Sequence, residues 1–180
     1  VKILQKFVVI LMIMFTTVAN ANDQSAAIDY IDGRWDVVAT FFENGQWGAP
    51  NAPARAVSER VLGGAFIRLN MPIAFPGQTF QFEMTFSYDR FNNTYRIVAL
   101  DDVNAYMDVY SGPMKGDILT ATNENTGTAF SDGNGGFVFG KIEIQETKNG
   151  FQLRAYTSSG AEEPYSSYMK IDFTSLEEIK

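Results

Sequence analysis

The chain has 180 residues, a formal net charge of −7, and neither cysteine nor histidine. Those two absences exclude disulfides, thiol catalysis, cysteine-held metals and a lipobox anchor. They also remove the commonest general base and metal ligand. The acidic balance argues against a nucleic-acid partner and leaves no basic patch for anionic lipid.

Lys2 and Lys6 precede the unbroken apolar run Phe7 to Phe15, and Ala19-Asn20-Ala21 follows. A positive start, a short apolar stretch and a small-x-small site make a secretory signal peptide. The run is too short to cross a hydrocarbon core, which takes about 20 apolar residues. Residues 1–21 therefore read as a cleaved leader. Residues 22–180 read as one exported domain, periplasmic or secreted, with no membrane anchor left after cleavage. Removing two lysines and no acid takes the formal charge from −7 to −9.

Ser25 to Asp32 follows as a short helical turn, with Ile28 and Ile31 on one face and Asp23 or Ser25 placed to cap it. From Arg34 the period changes to two. Strands are expected at Arg34–Glu43, Arg55–Val61, Ala65–Asn70, Gln78–Asp89, Tyr95–Asp101, Ala105–Gly112, Asp117–Asn123, Gly136–Glu146, Phe151–Thr157 and Tyr165–Phe173. The clearest is Gln78–Asp89. Phe80, Phe82, Met84, Phe86 and Tyr88 alternate there with Gln81, Glu83, Thr85, Ser87 and Asp89. In a strand that puts all five large apolar groups on one face.

The breaks carry turn residues: Glu43-Asn44-Gly45, Gly63-Gly64, Asn92-Asn93, Lys115-Gly116-Asp117 and Lys148-Asn149-Gly150. No stretch between strands is long enough for a crossover helix, so neighbours run antiparallel. The tail from Thr174 offers Leu176 and Ile179 as anchors for a last short turn. The fold class is all-β: a single antiparallel up-and-down β-barrel of about ten strands, closed because free edges invite aggregation.

Gly33-Arg34-Trp35 opens the first strand, and this G-x-W resembles the opening of lipocalins and other calycins. Beyond it come Arg60-Val61-Leu62-Gly63-Gly64-Ala65-Phe66-Ile67, Phe86-Ser87-Tyr88-Asp89, Tyr95 to Asp102, and Tyr110-Ser111-Gly112. Their order is similar to that of the bacterial family called domain of unknown function 1579, over roughly residues 28–173. Ser87 replaces the family's usual Gly, Leu100 stands near a common Trp, and Phe173-Thr174-Ser175 replaces a closing Tyr-x-Arg. The resemblance implies a calycin-like barrel with Trp35 plugging one end, and no settled activity.

A cavity wall is the leading reading of Phe80, Phe82, Met84, Phe86 and Tyr88. Arg68, Arg96 or Asp102 would grip the polar end of a small apolar ligand. The rival readings are a solid core of the same rings with surface interactions, or an enzyme working through inward carboxylates and tyrosines on a lipid-like or sugar substrate. Asp101 and Asp102 are adjacent, so only one of them faces inward. Asp132, Asn134, Gly136 and Glu143 have the spacing of a calcium loop. Phe137 occupies the position where that loop's sharp turn needs Gly, so a plain hairpin is expected. No cofactor, metal or catalytic residue is assigned, and nothing in the pattern specifies an oligomeric state.

Intact-mass measurement of the protein recovered from its exporting host should show a chain beginning at Asn22. A full-length product retained in the membrane would refute the leader assignment.

Overall fold

The computed structural model describes residues 24–75, 78–103, 106–131, 134–161 and 163–176. The leader expected over residues 1–21, the Asp23 cap, the Asp132 of the calcium-like spacing and the Ile179 anchor lie outside that range.

Among the described residues thirteen strands follow one another: β1 (Gly33–Glu43), β2 (Gln46–Trp47), β3 (Ala54–Val61), β4 (Phe66–Phe75), β5 (Gln78–Asp89), β6 (Thr94–Asp101), β7 (Met107–Gly112), β8 (Met114–Lys115), β9 (Ile118–Thr122), β10 (Phe130–Ser131), β11 (Phe137–Thr147), β12 (Gly150–Ser158) and β13 (Ser166–Ser175). Ten of them close a barrel in the order β1-β3-β4-β5-β6-β7-β9-β11-β12-β13, every neighbour antiparallel. Closure is the β1–β13 ladder, from Trp35 opposite Ser175 to Phe41 opposite Met169. The two-residue strands β2, β8 and β10 pair on β1, β9 and β11. They are too short to show as periodicity, and the sequence pattern misses them.

Alternation explains the barrel residue by residue. In β4, Ile67, Leu69, Met71 and Ile73 are buried, and in β6 Tyr95, Ile97 and Ala99 are. β4 continues to Phe75, past the expected end at Asn70 and through Pro72. The β3–β4 ladder stops at Asn70, so Pro72 has a partner strand on the β5 side only, where its missing N–H is tolerated. Asn44 and Gly45 have φ of 52° and 79° between the paired Glu43 and Gln46. Two successive positive φ values are what a two-residue hairpin loop of this hand requires.

The barrel has one plugged end. The segment before β1 forms a helical turn at residues 24–26 and a 3-10 turn at Asp29–Ile31. Ile28 and Ile31 are both buried. The Tyr95 hydroxyl donates to the Gln24 carbonyl at 2.8 Å, which seats this segment across the barrel. Beneath it, the Trp35 ring meets Phe151 edge-on at 5.0 Å, and Phe151 stacks on Phe173 at 4.0 Å. Trp35 Nε1 donates to Ser58 Oγ at 2.9 Å, and Ser58 Oγ donates to the Ile31 carbonyl. One serine thus satisfies both the indole and the carbonyl of the plug, as buried polar atoms require.

Trp35 is 4% exposed and Trp47, in the β1–β3 connection, is 40% exposed. Trp35→Ala should cost about 3–5 kcal/mol, the usual range for a buried large aromatic. Trp47→Ala should cost far less. Urea melts of the two variants compare them directly, and equal losses would undo the plug assignment.

Candidate functional site

The other end of the barrel is open inside. There β1, β4, β6, β9 and β12 end and β3, β5, β7, β11 and β13 begin. A cavity of about 490 Å³ lies within this half. Its walls are Ile73 of β4, Phe80, Phe82 and Met84 of β5, Leu153 of β12, and Met169 and Ile171 of β13. Small residues leave the room: Ala99, Gly140 and Ala155 also line it.

The five residues of the β5 face divide by depth. Phe80, Phe82 and Met84 line the cavity, whereas Phe86 and Tyr88 lie further toward the plugged end. Phe86 is 1% exposed in the solid core, and Tyr88 meets Tyr95 at 5.1 Å. On the neighbouring strands Ile67 and Ile97 are buried, Val98 and Phe66 are only half-buried, and Ala65 is exposed. The barrel is therefore filled over one half and hollow over the other.

The three polar residues expected to grip a ligand do not reach the cavity. Arg68 alternates with the inward Ile67 and Leu69, so it faces out and pairs with Glu59 at 2.7 Å. Arg96 alternates with Tyr95 and Ile97 and pairs with Asp89 at 3.2 Å. Asp102 is exposed just past β6, where its carboxylate accepts from the Gln81 N–H at 3.0 Å. Its neighbour Asp101 continues the inward parity of Ile97 and Ala99 and lines the cavity instead.

The sequence pattern missed the polar group deepest in the wall. Tyr110 of β7 lines the cavity and is 7% exposed. A Cβ on Gly140 would lie 2.8 Å from both Cε1 and the hydroxyl of Tyr110, so Gly140 lets the ring lie across β11. Burial, then the charge and hydrogen bonding of Asp108, hold the Tyr110 phenol well above its usual pKa. Asp108 itself is 3% exposed. Its Oδ1 accepts from Asn123 Nδ2 at 3.1 Å and from Thr128 Oγ1 at 2.9 Å. Asn123 Oδ1 in turn accepts from the Gly140 N–H at 2.7 Å.

This polar cluster stands at a seam. β7 and β9 pair only through Ser111 and Thr122. Toward the mouth, where the ladder is missing, Asp108, Asn123 and Thr128 join β7, β9 and the following loop through side chains. Tyr106 closes the same gap by donating to the Thr128 carbonyl and packing on Phe130 at 4.9 Å.

A model of a family described as a protein of unknown function (DUF1579) matches residues 21–174. The chain belongs to that family. The closed ten-strand barrel agrees with the calycin-like architecture that the family resemblance implies. Every residue that lines the cavity falls inside the DUF1579 span, so the cavity is a feature of the family's domain in this chain. No curated protein matches the chain.

Two further polar lining residues of this DUF1579 barrel, Lys141 and Tyr156, have partners of their own. The unbroken β11–β12 ladder sets Tyr156 opposite Lys141, while against β13 the register shifts at this point and leaves Tyr168 as the extra residue between Met169 and Ser167. Lys141 Nζ lies 4.0 Å from the Tyr156 ring centroid and 2.8 Å from Glu143 Oε1. The Tyr156 hydroxyl donates to Glu143 Oε2 at 2.8 Å. Burial alone would raise the Glu143 pKa, but the hydrogen bonds from Lys141 and Tyr156 outweigh it, and the carboxyl is held below its usual value.

A depressed folded-state pKa contributes stability above the ordinary carboxylate pKa, and that contribution is lost as pH falls through the folded value. Between about pH 6 and pH 3, wild type should therefore lose more stability than Glu143→Gln. Denaturant melts across that range measure the difference, and parallel curves would show that Glu143 contributes nothing.

Proposed function

We propose that this is an exported, non-enzymatic binding protein that holds a small, largely apolar molecule in the open half of its barrel. The observation that carries this reading is the contrast between the two halves. A ring cluster fills one end, while Ala99, Gly140 and Ala155 leave about 490 Å³ within apolar walls at the other. That volume falls in the range of small-molecule sites, about 300–1,000 Å³. Burial of apolar surface, at about 25 cal/mol per Å², supplies the affinity. The cavity weighs against a solid barrel that works only through its surface. The apolar leader at residues 1–21 is the basis for export, to the periplasm or the medium.

Pyrene, a neutral apolar fluorophore, should bind the native protein saturably at a single site. Ala155→Phe and Ala99→Phe place a ring in the empty space. Each should weaken pyrene binding by about tenfold or more while changing stability by less than the 1–3 kcal/mol typical of overpacking a filled core. Fluorescence titration and urea melts read both effects. Absence of saturable pyrene binding, or binding untouched by both fillings, would overturn the proposal.

A further inference from the structure

We infer that the cavity selects an apolar molecule bearing a hydrogen-bond donor, a hydroxyl or an ammonium, and that the Tyr110 oxygen receives that donor. This rests on the binding role proposed above and specifies its ligand.

The inference begins with the polar groups the wall offers. Lys141 and Tyr156 are committed to Glu143. Asp101, at the end of β6, accepts from the Val103 N–H at 2.9 Å. Tyr168 is 43% exposed. Tyr110 is the polar side chain set deep among the apolar residues, and what it presents depends on where its one proton goes.

Asp108 decides that. It lies two residues away on the same strand, so both side chains face inward. Its Oδ1 already accepts two hydrogen bonds, whereas its buried Oδ2 has no hydrogen-bond partner of ordinary geometry. Among the described residues no lysine or arginine forms an ion pair with it. The other nearby polar groups of the cluster, Asn123 Nδ2 and the Gly140 N–H, are donors that are already used. The acceptor for the Tyr110 proton is therefore the Asp108 carboxylate, whose charge and hydrogen bond add to burial, the larger cause, in raising the Tyr110 pKa.

A phenol has one proton and two lone pairs. With the proton turned toward Asp108, lone pairs face the cavity. A ligand hydroxyl or ammonium meets them with a hydrogen bond. A ligand carbonyl meets them oxygen to oxygen and loses its hydration without return. A site built to hydrogen-bond a ligand group rejects the analogue that cannot reply in kind, because the site's own polar atom is then left unpaired.

The test uses ligands matched in length. 1-Decanol, decylamine and 2-decanone displace pyrene from wild type, and the ratio of their displacing concentrations is the readout. The alcohol and the amine should each displace at concentrations about fivefold to tenfold below the ketone, the worth of one hydrogen bond. An amine stronger than the alcohol marks a charged donor as preferred, and the reverse order a neutral one. Tyr110→Phe keeps the ring over Gly140 but removes the hydroxyl, and the ratio of ketone to alcohol, each measured against that variant's own pyrene affinity, should fall to about one. Asp108→Asn keeps an oxygen for Asn123 and Thr128 but puts an N–H₂ beside Tyr110. That group donates to the phenol, frees its proton for the cavity and should turn the preference toward the ketone. A purely structural Asp108 would not reverse a preference. Equal displacement by alcohol and ketone in wild type, or an alcohol preference that survives Tyr110→Phe, overturns this inference and leaves the binding role standing. Failure of wild type to bind pyrene at all overturns both. Should Asp108→Asn fail to fold, Tyr110→Phe alone decides.

Discussion

Closing ten antiparallel strands makes an interior wider than side chains fill by themselves, since about eight strands already give a barrel able to hold one small ligand. Everything else in this molecule answers that constraint. One end is sealed by adding material from outside the sheet: the segment before β1, seated by Tyr95 on Gln24 and resting over Trp35, Phe151 and Phe173. Among the described residues the other end has no such plug, and it keeps small residues on its inner face. Stability and capacity are thereby placed in different halves of one barrel. The seal concentrates large rings and a satisfied indole in the closed half. The open half can then carry a cavity without loss of the core.

The second consequence of closure is the seam between β7 and β9. The strands diverge toward the mouth, and their backbone groups there need partners other than each other. Thr128 accepts from the Val109 N–H at 3.0 Å, and Asn123 bonds both the backbone and Asp108. A buried polar network of this kind is costly unless its members are satisfied. Here one carboxylate oxygen is left over beside the tyrosine that lines the cavity. The repair of a gap in the sheet and the polar feature of the cavity are thus the same group of residues.

Much of the fold was legible because alternation is a local property. Nine of the ten barrel strands are read within about two residues of their ends, the usual uncertainty of a boundary. The exception, β4, runs on through Pro72, and proline in a strand reads as an end unless the one-sided pairing is known. The site was legible only in its apolar part. Phe80, Phe82 and Met84 follow from period two alone. Arg68, Arg96 and Asp102 are attractive by chemistry, yet counting parity from Ile67, from Ile97 and from Ala99 turns all three away from the interior. The same count brings Asp101 in. Tyr110 had a weaker signal: it alternates with Asp108 and Gly112 in a short strand whose inward set is not apolar.

What the sequence determined by itself is the all-β class, the order of the strands, their antiparallel sense and which face of each is apolar. These follow from side-chain alternation and from turn residues such as Asn44-Gly45, and both act over a few neighbours. Tertiary structure alone decided which end is plugged, where the hollow lies and which polar group stands in it. Those outcomes depend on residues far apart in the chain, as when Gly140 of β11 admits the ring of Tyr110 from β7 and Asn123 binds Asp108 across the seam. Depth inside a barrel is set by closure, and no local pattern records how far along the axis a given inward side chain will lie.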